Sequence, residues 1–188
     1  MQRQRPMPVN AFVELFDQMG PNDQLNLRDL RIKAITLLAL CALTRPSDLA
    51  PKGKVFKPED NSSSTIPMSV HDITFEQEGS MTICFHGIKN DINRQGFEVN
   101  IPQNGEKHSC DPVKCLKMYI ERTQDCRSKE CVGLFLTLRA PYHAIAVDTV
   151  ANILEEAIYR VGLQGQGFTA KSFRPTGATN AVNIGVLP

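Results

Sequence analysis

From Ala34 to Leu43 every residue is apolar except Thr36. A helix built on such a run has no polar face to turn to water, so it belongs at the centre of a domain. The run is too short to cross a bilayer. Just upstream, Leu27, Leu30 and Ala34 alternate with Arg28, Asp29, Arg31 and Lys33. That spacing predicts one helix over about 25–43, amphipathic in its first half and buried all round in its second. Pro46 follows, where a helix ends or restarts.

The remaining elements arrange themselves around this core. Val9, Phe12, Phe16 and Met19 recur at helical spacing and Gly20-Pro21 stops them, predicting a helix over 9–19. The stretch before it, MQRQRPMP, is polar and proline-bearing and reads as a loose tail. Residues 51–67 read as an exposed loop. The period then changes to two. HDITFEQ, SMTICFH and GFEVNIP alternate apolar with polar residues, predicting three short antiparallel strands.

Helices then return. Asp111-Pro112 is a cap followed by a first-turn proline, and Leu116, Tyr119, Ile120 and Thr123 supply one face. Asp148 is expected to cap a further helix that Gly162 ends, carrying Val150, Ile153, Leu154, Ala157, Ile158 and Val161. Tyr119 and Tyr159 fall on these helices and read as packing residues. The last segment, TAKSFRPTGATNAVNIG, is weakly helical. The fold class is therefore α+β, predominantly helical, with helices around a small three-stranded antiparallel sheet. At 188 residues the chain makes one domain with a core of its own.

Several function classes find no support. The sequence has no GxGxxG, P-loop, HExxH or GxSxG pattern, so nothing points to a dehydrogenase, an NTPase, a zincin or an α/β-hydrolase. No apolar run follows the first arginines as a secretory signal would require, so the chain is expected not to be secreted. The six cysteines, Cys41, Cys84, Cys110, Cys115, Cys126 and Cys131, are then expected to be reduced thiols. Cys110, Cys115, Cys126 and Cys131 form two C-x4-C pairs, wider than paired zinc ligands usually are. A Cys-rich zinc-binding interaction domain is nonetheless one alternative reading.

The net charge of +1 does not advertise a nucleic-acid partner, but its distribution is uneven. Residues 1–57 hold nine Lys/Arg against five Asp/Glu, residues 58–160 ten against fifteen, and residues 161–188 two against none. The ends are basic and the middle is acidic, so a phosphate site could form where the ends meet.

Four basic residues stand out by context. Arg45 follows the all-apolar helix in ALTRPSDL, Lys89 sits in a turn after the second strand, and Lys171 and Arg174 share one turn in TAKSFRPTGAT. Taken together these segments resemble the catalytic domain of the tyrosine recombinases, the fold of phage integrases, from about Leu25 onward. LLALCALTRPSDLA matches a long buried helix ending in an arginine with an acid three positions on, here Arg45 and Asp48. TICFHGIKNDINRQGFEVNIP matches a lysine-bearing hairpin, here Lys89. KSFRPTGATNAVNIGV matches a His-x-x-Arg box before a small-residue helix, with Arg174 in the arginine place and Lys171 in the histidine place. The last segment looks more like recombinases of eukaryotic mobile elements than bacterial chromosome-resolving ones.

The resemblance implies a chemistry. In such enzymes a tyrosine attacks a DNA phosphate, leaving a 3′-phosphotyrosine and a free 5′-hydroxyl. Arg45 and Arg174 would grip the non-bridging oxygens, whose charge grows in the transition state. Lys89 would protonate the leaving oxygen, Lys171 would add a donor, and Asp48 would orient Arg45. Double-stranded DNA is the implied partner, with a homo-oligomer assembled on it. No metal or nucleotide cofactor and no membrane is implied, and the nucleus is the expected location.

One part of the family pattern is not matched. The tyrosines are Tyr119, Tyr142 and Tyr159, all before Arg174, and the sequence reaches Pro188 only fourteen residues after it (188 − 174). The expectation is a tail and linker helix over 1–20 and a catalytic domain over 21–188 that lacks its C-terminal part. A recombinase fragment inactive alone, or a non-catalytic DNA-binding module derived from a mobile element, are the readings this leaves.

Overall fold

The structure, a computed structural model, describes residues 5–50, 68–85, 97–128, 131 and 133–183. Its central element is α2, Leu27–Cys41, in which every residue from Leu30 to Ala39 is buried. The Asn26 side chain starts the helix by accepting the Asp29 backbone N–H at 2.9 Å. Helices α4 (Pro112–Arg122), α5 (Val147–Arg160) and α6 (Phe173–Asn183) all pack on α2. Phe12 and Phe16 of α1 (Val9–Met19) join the same core.

The amphipathic reading of the first half of α2 fails at two positions. Arg31 and Lys33, assigned to solvent by periodicity, are 8% and 0% exposed. Each long side chain finds an acceptor that the helix pattern cannot reveal. Arg31 Nη1 donates to the Leu136 carbonyl at 2.7 Å, and Lys33 Nζ to the Gly20 carbonyl at 3.5 Å. The Lys33 ammonium also lies 5.9 Å from the centre of the Phe16 ring. Arg28 and Asp29 do face outward. There they form a network with α5, in which Glu156 accepts two bonds from Arg28 and Arg160 bridges Asp29 and Glu156.

The sheet is as the twofold alternation predicts. Strands β1 (Ile73–Phe75), β2 (Met81–Phe85) and β3 (Phe97–Ile101) pair antiparallel in the order β1-β2-β3. Ile83 faces Ile73 on one side and Val99 on the other, while Met81, Ile83 and Phe85 point into the core. The α4 cap is also as predicted. Asp111 accepts the backbone N–H groups of Val113 and Lys114 at 3.0 and 3.1 Å, and Pro112 opens the helix.

Two helix details differ from the pattern. Ala146 rather than Asp148 stands at the N-cap of α5, with Asp148 inside the first turn, where its charge still favours the helix dipole. Tyr159 is 65% exposed, so only Tyr119 of the two helical tyrosines packs in the core. The Tyr119 hydroxyl accepts the Leu136 N–H at 3.0 Å, and its ring lies 5.3 Å from that of Phe135. No helix among the described residues is long and apolar enough to cross a membrane.

Candidate functional site

The described candidates, Arg45, Asp48, Lys171 and Arg174, lie where α2 ends and α6 begins. Leaving α2, the chain passes through Ala42 to Leu43, which adopts a left-handed φ of 53°. That conformation is costly for a branched side chain, and such strain is usually held where a scaffold must aim a residue. Thr44 and Pro46 turn inward and are buried, so Arg45 between them is left exposed. Pro46 then opens a one-turn helix, α3 (Pro46–Leu49), with Leu49 buried beneath it.

Asp48 closes this turn. Its carboxylate accepts the Arg45 backbone N–H at 2.7 Å, and its own N–H donates to the Arg45 carbonyl at 2.9 Å. Asp48 therefore holds the Arg45 main chain, as the glutamate of a capping box does.

The second cationic segment is built the same way, by burying its neighbours. Ala170, Ser172, Phe173, Thr176 and Gly177 are buried, while Lys171, Arg174 and Pro175 are exposed. Lys171 lies in a 3-10 turn, Ala170–Ser172, closed by a bond from the Thr169 N–H to the Ser172 hydroxyl at 3.0 Å. Arg174 is in the first turn of α6. Beneath it, Phe173 meets Phe12 of α1, with ring centres 5.3 Å apart. Lys171 and Arg174, three apart, thus share the outward side of one turn.

What brings the two segments together is Gly177. A β-carbon there would lie 2.3 Å from the Leu40 carbonyl oxygen and 2.6 Å from Leu43 Cδ2. Only glycine lets α6 approach the last turn of α2 so closely. Gly177 is three residues after Arg174, and Leu43 is two residues before Arg45. The turn carrying Lys171 and the helix following Arg45 also both pack on α5.

The acidic groups of the Arg28–Glu156–Arg160–Asp29 network sit at the other end of α2. A fifteen-residue helix puts them about 22 Å away. Lys89 falls in 86–96, outside the described residues.

Sequence reasoning missed the positioning residues. Leu43, Thr176 and Gly177 carry no charge and match no chemical pattern. Cys115 is buried with its sulfur 4.0 Å from the Leu30 carbonyl and Cys110 pairs with Ser109. Among the described residues no three His, Cys, Asp or Glu side chains gather as a metal site would require.

Solved structures share this architecture. A structure of XerA recombinase superposes with a TM-score of 0.64 over 98% of this chain and 53% of its own, at 16% identity. The pre-cleavage complex of XerH site-specific recombinase bound to difH substrate gives 0.63 over 97% of this chain and 45% of its own, at 13% identity. The post-cleavage complex of XerH with palindromic difH substrate gives 0.62 over 95% and 41%, at 16% identity.

The chain has the fold of a tyrosine-recombinase catalytic domain.

The recombinase fold is what this likeness establishes, since identity of 13–16% carries no more than the backbone plan. The chain spans about half the length of those recombinases or less. No protein-family model and no curated protein sequence matches it.

Proposed function

We propose that this chain binds double-stranded DNA through its phosphates, as the catalytic-domain portion of a tyrosine recombinase of the eukaryotic mobile-element type acting in the nucleus. Arg45 and Arg174 take the non-bridging oxygens of one phosphate with their forked donors. Lys171 adds a donor beside them. Lys89 protonates the leaving 5′-oxygen. Asp48 orients Arg45 through its main chain. The observation that carries this reading is the contact of Gly177 with Leu40 and Leu43, which sets the turn bearing Arg174 against the segment leading to Arg45. Support also comes from the XerH structures, which are complexes with a DNA substrate before and after cleavage.

Strand cleavage needs a tyrosine that follows the second arginine. Tyr119, Tyr142 and Tyr159 all precede Arg174, and the Tyr119 hydroxyl is engaged inside the core. Cleavage is therefore proposed only where a tyrosine outside these 188 residues reaches the phosphate held by Arg45 and Arg174. A non-catalytic DNA-binding module is the second reading, favoured by that buried phenol.

The test is duplex DNA binding across a salt series with the wild-type chain, Arg45→Ala and Arg174→Ala. Loss of affinity with a shallower salt slope in both variants supports the phosphate site. Wild-type binding and slope in both would overturn it. Covalent trapping on a nicked duplex, with an added recombinase variant that keeps its tyrosine but lacks its phosphate-gripping arginines, then separates the two readings, because a module without catalysis yields no protein–DNA adduct.

A further inference from the structure

The first and last stretches of this sequence, both free of acid, meet at Met7 and Thr176. Residues 1–13 contain Arg3 and Arg5 and no acid, and residues 161–188 contain Lys171 and Arg174 and no acid. The Met7 backbone N–H donates to the Thr176 hydroxyl at 2.9 Å, a buried bond across 169 positions of sequence. The Met7 side chain is 3% exposed and belongs to the main core. What the composition describes as a loose tail is therefore anchored from Met7 onward. Pro6 and Pro8 flank the anchor and fix the backbone on both sides of it, so little freedom is left to lose on ordering.

This anchor places a cation. Arg5 is exposed and stands two residues before Met7, within about 7 Å of extended chain. Arg174 is exposed and stands two residues before Thr176, about 3 Å of helical rise. We propose that Arg5 is a further DNA-phosphate contact, carried beside Arg174 by the seating of Met7 under α6. The inference rests on the DNA-binding reading above and extends it to a segment outside the recognised motifs. Arg5 approaches from a separate strand of chain, so it takes a neighbouring phosphate rather than the one Arg45 and Arg174 grip. Thr176 is then a positioning residue for Arg5.

The experiment compares salt slopes of duplex DNA binding for the full chain and for Arg5→Ala, Arg5→Lys and Thr176→Val. Each phosphate contact contributes about 0.9 to the slope of log affinity against log salt. Arg5→Ala is expected to lower the slope by about that amount with an unchanged thermal melt, and Arg5→Lys to restore it. Thr176→Val is expected to lower the slope similarly, and adding Arg5→Ala to it to lower it no further. If Arg45→Ala and Arg174→Ala weaken binding while Arg5→Ala keeps the wild-type slope, this inference fails alone. If the wild-type chain binds no duplex, the underlying reading fails first. Should Thr176→Val unfold the protein, the Arg5 pair still decides the matter.

Discussion

Gly177 and Leu40 are in backbone contact: a β-carbon on the former would stand 2.3 Å from the carbonyl oxygen of the latter. The obstructing atom is main chain in the last turn of a buried helix, so it cannot swing aside. Gly177→Ala should therefore push α6 off α2 and cost about 1–3 kcal/mol of stability, measured by denaturant unfolding. DNA affinity should fall by more than the lost stability explains, since Arg174 moves relative to Arg45. Unaltered stability would show that α6 is not held where the structure places it.

Asp48 acts on the main chain of Arg45 through a 2.7 Å bond. Asp48→Ala should cost about 1 kcal/mol, the range of a lost helix-start bond. It should weaken DNA binding in the same direction as Arg45→Ala. Asp48→Asn keeps a carbonyl acceptor and should retain most of both. Equal losses for the two variants would mean that charge rather than main-chain capping is what Asp48 supplies.

Lys33 is fully buried, and burial pushes its ammonium below the ordinary lysine value of 10.5. The unfolded chain then holds the proton more tightly than the folded one. Stability should rise with pH across the window from the depressed folded value up to 10.5, and the penalty is fully present below it. Lys33→Met should remove that rise and leave the protein as stable or up to about 4 kcal/mol more stable at neutral pH. The check is the difference between wild-type and variant unfolding curves over pH. A parallel pair of curves would contradict the assignment.

Tyr119 has the opposite sign. Burial of its phenol, only partly offset by the Leu136 N–H it accepts, pushes it above the ordinary value of 10.0. The unfolded chain ionises first, so its contribution to stability is lost as pH rises above about 10. Tyr119→Phe should abolish that alkaline loss. It should also cost about 1–3 kcal/mol at neutral pH by leaving the buried Leu136 N–H without its partner.

The parts of the fold that local rules govern were legible in the residues. The helix over 9–19, the three strands and the Asp111-Pro112 cap follow from period and capping chemistry alone. Two of the four charged residues of α2, Arg31 and Lys33, were not, because periodicity sends every charge to water. Arg31 and Lys33 are buried by carbonyls that lie 105 and 13 residues away in the sequence. The site divides in the same way. Arg45 and Arg174 announce themselves by following or opening buried segments. Gly177, Thr176 and Met7 act through van der Waals distance and one hydrogen bond between the chain's two ends, and neither leaves a mark on the sequence.

That bond between Met7 and Thr176 also orders events in time. The ribosome makes Met7 169 residues before Thr176, so the Met7 segment has no seat until the whole stretch between them has emerged. The central helices and the sheet can collapse earlier, on contacts of their own. A nascent chain halted before Thr176 would thus leave Arg5 untethered, and its seat is completed only after the central helices and the sheet have been made.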